Sequence, residues 1–178
     1  MRKAFFITFL VSIFAIFLAG VLFLAKKPEL GRLAELSKVI RSESGEIINL
    51  RLTPSGHWRE PADVNRIDPL LINMLVAYED KRFWEHHGVD PFAIVRASLS
   101  FAKSGKIKSG ASTLTMQTAK LMYPNLRQRS LNNKIKQMFF AMRLDAHWSK
   151  KEILEAYFTL APFGGNIEGA EAATLAWF

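Results

Sequence analysis

The sequence has no cysteine, which excludes disulfides, thiolate metal sites and a cysteine nucleophile and leaves the redox compartment open. It also lacks any acid from Pro91 to Leu144, although Arg96, Lys103, Lys106, Lys108, Lys120, Arg127, Arg129, Lys134, Lys136 and Arg143 all fall there. Solvated faces ordinarily mix charge signs, so this one-signed field, within a net charge of +8, suits phosphates or anionic headgroups. No nucleic-acid reader motif accompanies the charge, which sets nucleic acid aside. Internal repeats and low-complexity tracts are missing too, and 178 residues then amount to one medium domain with an appendage.

The appendage is the uncharged run from Ala4 to Ala25, "AFFITFLVSIFAIFLAGVLFLA". As a helix its 22 residues would span roughly 33 Å, enough for a bilayer core. A cleaved signal peptide is the competing reading, but the run exceeds the roughly 7 to 15 apolar residues usual there, and no small-x-small site precedes Lys26. Arg2 and Lys3 flank one side and Lys26, Lys27, Arg32 and Lys38 the other, so charge alone does not orient the helix. A short tail ahead of a first hydrophobic helix favours the tail inside and the domain outside.

Residues 1–27 are accordingly read as tail and anchor, and 28–60 as a linker with a small β-hairpin. In "VIRSESGEIINLRLTPSGHWRE" the β-branched runs are separated by Ser44-Gly45 and closed by Pro54-Ser55-Gly56, and this hairpin is expected to be the only sheet. Downstream the pattern is helical. Asp68-Pro69 and Asp90-Pro91 each pair a cap with proline at the first helical position. Leu70, Leu71, Met74, Leu75 and Tyr78 follow the first; Phe92, Val95, Leu99 and Ala102 follow the second, with Phe92 and Leu99 expected in the core. From Leu131 a stripe of Ile135, Met138 and Met142 is expected, with Lys134 and Gln137 on another face. Ser149 and Glu152 form a capping box ahead of Ile153, Leu154, Tyr157 and Phe158; Pro162 to Gly165 ends that helix, and another begins at Ala170.

The stretch "YEDKRFWEHHGVD" sets Glu79 and Asp80 at a helix C-terminus, where the dipole disfavours acids. Pairing with Lys81 or Arg82 is a structural reason for the acids; proton transfer is a functional one. His86 and His87 are adjacent rather than four apart, which argues against a two-histidine zinc site; His86 is expected to order the loop after Glu79. "KSGKIKSGAS" is a basic Gly/Ser-rich loop whose amides could approach an anion.

These residues resemble the peptidoglycan glycosyltransferases of glycosyltransferase family 51, found alone or as the first catalytic domain of class A penicillin-binding proteins. "EDKRFWEHHG" is similar to the first family motif, "SGASTLTMQTAK" to the second, "NKIKQMFFAMRLD" to the third and "KEILEAYFTLAPFGGNIEGAEAA" to the last two. "SGHWRE", "STLTMQ" and "APFGG" look most like the penicillin-binding protein 1C branch. Departures are Ala111 for the second glycine and Met116 for the first glutamine of the second motif, and Asn133 for arginine in the third. Gln137 stands where the family often has its second glutamate, which leaves Glu79 the sole candidate base.

The resemblance implies a mainly α, lysozyme-like fold with a small β-hairpin after a transmembrane helix. It implies residues 61–178 as the glycosyltransferase domain, incomplete at its C-terminus because the sequence stops at Phe178 inside an apolar helix pattern. The implied reaction polymerises lipid II into glycan strands at the bacterial inner membrane, with the domain on the periplasmic side. Glu79 would be the base, with Asp80, which would orient it or help hold a metal, and Gln137 beside it in the catalytic set. Phe83, His86, Gly110, Ser112, Thr113, Thr115, Gln117, Lys120 and Lys134 would meet substrate, and Phe83 and Trp84 would desolvate Glu79. Lys134, Lys120, Gln117 and the helix start at Ser112-Thr113 would neutralise the leaving pyrophosphate. Glu155 and Glu168 are read as structural. No dedicated protein cage for Mg2+ or Mn2+ is expected, and either ion would come with the pyrophosphate. Lipid II, the growing glycan chain, the membrane and cell-wall synthesis proteins are the implied partners. Phe92, Leu99, Phe101 and Ile107 could alternatively rest on headgroups. Two other readings stand beside this one: a catalytically inactive fragment that binds lipid II or anionic lipid, and a lytic lysozyme-like hydrolase, which has less use for a pyrophosphate site.

Overall fold

A computed structural model describes residues 2–105 and 110–178. Lys106, Ile107 and Lys108 of the basic loop lie outside the described residues. Helix α1 (Arg2–Ala25) is followed by a 3-10 turn at Gly31–Ala34 and an antiparallel hairpin of β1 (Lys38–Arg41) and β2 (Ile47–Arg51). Then come β3 (Trp58–Arg59), α2 (Pro69–Glu79), α3 (Pro91–Ser104), α4 (Leu114–Met122), α5 (Leu131–His147) and α6 (Lys150–Leu160). Strands β4 (Pro162–Gly164) and β5 (Ile167–Glu168) lead into α7 (Ala170–Trp177). The fold is mainly helical, and among the described residues one helix, at the N-terminus, is long and apolar enough to cross a membrane.

Local chemistry starts the helices. Asp68 caps α2 through the amide of Leu70 and Asp90 caps α3 through that of Ala93, each with proline at the helix start. Ser149 and Glu152 exchange both bonds of the capping box at α6. Helix α4 is the centre of the domain. Leu114, Thr115, Met116, Thr118, Ala119 and Met122 are all buried, as expected of a helix enclosed on most sides. Its first turn joins Val76, Phe83, Ile153, Leu154 and Phe158 in one apolar cluster, and its last turn joins Leu144 and Leu160 in another. Each such aliphatic side chain contributes about 1.5–3 kcal/mol when fully buried. Gly88, at φ 79°, lets the loop before α3 press on α5; a Cβ there would stand 2.4 Å from the Ala141 carbonyl oxygen.

Three expectations are corrected. The hairpin is not the only sheet, because β3, β5 and β4 form a second one in which β3 runs parallel to β5 (Trp58 opposite Ile167, Arg59 opposite Glu168). Strands of two or three residues are too short to show alternation, and no turn joins partners so distant in sequence. Phe92 and Leu99 are not core: they are 71% and 56% exposed, and Ala93 is the buried residue of α3. Periodicity establishes that a helix has an apolar face but not what covers it. On α5 the buried positions are Asn133, Gln137, Ala141, Arg143 and Leu144, whereas Ile135 is exposed. Polar Asn133, Gln137 and Arg143 of that helix face inward, while Asn132 and Lys136 are exposed.

The linker is fastened by buried ion pairs. Arg32 and Arg59 converge on the buried carboxylate of Glu168: Arg32 Nη2 donates to Oε1 at 2.5 Å and Arg59 Nη2 to Oε2 at 2.5 Å. Arg59 Nη1 also donates to the carbonyls of Arg32 and Glu35, each at 2.6 Å.

Candidate functional site

Helix α2 ends at Glu79; Asp80 is its C-cap, with φ −159°, so the helix does not persist through Phe83. Instead the chain turns, and Phe83 becomes fully buried in the apolar cluster behind the acids. Asp80 is buried as well. Its Oδ2 accepts the amide of Leu114 at 2.9 Å, and both its oxygens lie 2.9–3.0 Å from Nε2 of buried His86. The first turn of α4 does attract an anion, and that anion is Asp80. Thr113 caps the same helix through the Met116 amide while donating its hydroxyl to the Gly88 carbonyl at 2.6 Å.

One turn along α4 from its cap, Gln117 Nε2 donates to Glu79 Oε2 at 2.7 Å. Thr113, Gln117 and Lys120 share one helix face by their spacing and line a cleft of about 850 Å3 with Glu79, Asp80, Gly110 and Ser112. A second hollow, of about 470 Å3, shares Ser112 and Lys120 with the first and adds Arg127, Arg129, Ser130, Lys134 and Gln137. Lys134 Nζ donates to the Ser112 hydroxyl. Burial, and then the nearby charge of Lys120, lower the Lys134 pKa, so an arriving anion would relieve both effects. Gln137 closes the back of this hollow and gives its amide to the Leu126 carbonyl at 2.7 Å. Asn133 holds the same segment through the carbonyls of Asn125 and Gln128.

The structure thus brings Glu79, Asp80, Gly110, Ser112, Thr113, Gln117 and Lys120 around one cleft, with Lys134 and Gln137 in the adjoining one. Phe83 and His86 stand behind the acids, and Thr115 is wholly buried with no hydrogen-bond partner for its hydroxyl. Glu168 is held by Arg32 and Arg59 and lines neither hollow, though its charge reaches Arg127 of the second. Sequence reasoning missed Tyr157. Its hydroxyl pKa is raised by burial and then by the charge of Glu79, and its ring lines a third, apolar hollow shared with Gln117, Lys120, Leu71 and Phe163. The spacing of Tyr157 with Ile153 and Leu154 reads as core, and nothing in the sequence says that it feels the charge of Glu79.

The arrangement offers one carboxylate steadied by an amide donor at one end, and at the other a run of cations with few acids to neutralise them. Chemically, a carboxylate so placed can accept a proton and such cations can meet negative charge.

The Transglycosylase family pattern matches residues 45–178. Penicillin-binding protein 1C of Escherichia coli K12 is 38% identical over 141 residues, which cover 79% of this chain and 18% of that protein. Penicillin-binding protein 1A of Aquifex aeolicus is 39% identical over 115 residues, covering 65% of this chain and 16% of the relative. Penicillin-binding protein 1A of E. coli K12 is 36% identical over 160 residues, covering 85% and 18%. The chain therefore spans less than a fifth of the length of these relatives. With three quarters of its own length matched, it belongs to the transglycosylase family found in the penicillin-binding proteins.

Proposed function

We propose that the chain is a peptidoglycan glycosyltransferase that joins lipid II units into glycan strands, with Glu79 as general base. The observation that carries this reading is the Gln117–Glu79 hydrogen bond, set one helical turn from Lys120 and the hollow of Lys134, Arg127 and Arg129. The acceptor's hydroxyl oxygen attacks the anomeric carbon of the donor sugar. The bond from that carbon to the phosphate oxygen breaks, its electron pair leaves with the polyprenyl pyrophosphate, and the hydroxyl proton passes to Glu79. Gln117 occupies Oε2 and leaves Oε1 for the proton. Lys134 and Lys120, with the Ser112 hydroxyl, meet the charge that develops on the leaving group. A lytic hydrolase, cleaving a polymer with water, has no such charge to meet.

Asp80 is poorly suited to hold a divalent ion, because His86 and the Leu114 amide already engage its oxygens, and no cluster of three His, Asp or Glu side chains occurs among the described residues. In the same reading α1 spans the bacterial inner membrane with the domain on the periplasmic side, so that the substrate's lipid tail stays in the bilayer. The exposed Phe92, Leu99 and Phe101 of α3 rest on the headgroup layer.

The test is polymerisation of labelled lipid II by the detergent-solubilised chain beside Glu79→Gln. Loss of at least about 100-fold in the variant, the lower end for a general base, supports the reading. If neither protein makes polymer and both bind lipid II equally, the chain is a binding fragment and the catalytic assignment fails.

A further inference from the structure

Arg143 is a buried cation without an acid. It is 5% exposed, its Nε is buried with no hydrogen-bond partner, and no carboxylate pairs with it among the described residues. Asp145, two residues on, points about 200° away around α5 and is taken by Lys150 at 2.5 Å. The Tyr123 oxygen accepts a hydrogen bond from the guanidinium while its hydroxyl donates to the Glu29 carbonyl at 2.6 Å, but this neutral acceptor leaves the charge uncompensated and Nε unpaired. What surrounds Arg143 is aromatic: Phe23 of α1 at 4.8 Å and Phe140 at 5.2 Å from the guanidinium carbon. Ring faces recover only part of what burying a charge costs, and the remainder calls for an anion.

The position of this cation identifies the anion. Phe23 lies in the last turn of α1, edge-on to Phe139 and Phe140, and His147 bonds the Leu24 carbonyl at 2.9 Å. Lys26 and Lys27 follow at once. Aromatic rings and cations gathered at the end of an apolar helix mark headgroup depth. We infer that Arg143, framed by Phe23, Phe140 and Tyr123 at the junction of α1 and α5, binds the phosphate of an anionic bilayer phospholipid. This site is separate from the one that holds the leaving group. Lys134 precedes Arg143 by nine residues, which puts them on opposite faces of α5 and about 14 Å apart along its axis. The inference rests on reading α1 as a membrane span and goes beyond the proposed activity.

Native mass spectrometry of the full chain in maltoside micelles, with added dioleoylphosphatidylglycerol, tests it. The expected result is a bound phosphatidylglycerol that Arg143→Gln loses by about tenfold or more, the scale of a hydrogen bond to a charged group, whereas Lys136→Gln keeps it. Equal retention by Arg143→Gln overturns the site. So does displacement by farnesyl pyrophosphate with no preference for phosphatidylglycerol over phosphate-free dioleoylglycerol, because the anion would then be substrate. Should Arg143→Gln not fold, phenylglyoxal labelling of Arg143 in the natural chain decides: protection by phosphatidylglycerol supports the site and its absence overturns it. Flotation with vesicles separates the two failures. A chain that floats but holds no lipid at Arg143 loses only this site, and one that does not float loses the span as well.

Discussion

Gln117 spends its amide on Glu79, and its neighbours on α4 are either buried or turned to the same cleft. Gln117→Leu keeps the bulk and removes the donor. Because hydrogen bonds to charged groups are worth about 1.5–3 kcal/mol, the expected outcome is a fall in kcat of roughly 10- to 100-fold. The melting temperature should stay nearly constant; a loss of stability matching the loss of rate would show that Gln117 only holds the fold. Asp80→Ala should behave in the opposite way. It strips the Leu114 amide and His86 of their shared acceptor, leaving both unsatisfied in a buried place, and a stability loss of about 2–4 kcal/mol is expected in urea titration. Glu168 gives a pH signature. Burial acts to raise its pKa, but the hydrogen bonds of Arg32 and Arg59 outweigh burial and the net value is lowered. Its stabilisation is therefore complete above the ordinary glutamate range, near pH 4.5, and is lost as the pH falls below that range through the lowered folded value. Thermal melts from pH 7 downward should show this limb, and Glu168→Gln should lack it. At pH 7 that variant should itself be less stable by about 3–5 kcal/mol, since two buried guanidiniums lose their partner.

Among the elements, α3 is where exposure and composition disagree most. Leu99 and Phe101 are 56% and 55% exposed, so Leu99→Asp with Phe101→Asp should leave the melting temperature within about 1 °C while reducing activity on vesicle-embedded lipid II. Surface changes ordinarily move stability by less than about 0.5 kcal/mol, and equal activity on vesicles would remove α3 from the membrane. The helix starts were legible because capping is local: Asp68-Pro69, Asp90-Pro91 and the Ser149–Glu152 box are each complete within four residues. The proximity of Glu79, Gln117 and Lys134 was legible only through the family resemblance. No local rule places residues 38 positions apart in contact. Tyr157 and Arg143 were illegible for a different reason, since an aromatic at helical spacing and a cation in a basic run each have an ordinary reading that only packing can overturn.

At the scale of the whole molecule, a helix fit to cross a bilayer is attached to a domain with an acid-free basic stretch from Pro91 to Leu144, and the two modes of membrane attachment answer differently to salt. Headgroup attraction is screened within about 3 Å at 1 M ionic strength, whereas insertion of α1 is not. Flotation of the full chain with phosphatidylglycerol vesicles should accordingly persist in 1 M salt, and release by salt alone would refute the span. The three-stranded sheet has a further consequence, which concerns time. Glu168 follows Arg32 by 136 residues, and at about 5–20 residues per second a ribosome would need roughly 7 to 27 s to deliver it. During that interval α1 has already emerged, and the arginines waiting beside it have no acid to close on. The nascent linker therefore stays unlocked until β5 arrives, and its orientation relative to α1 is set only then.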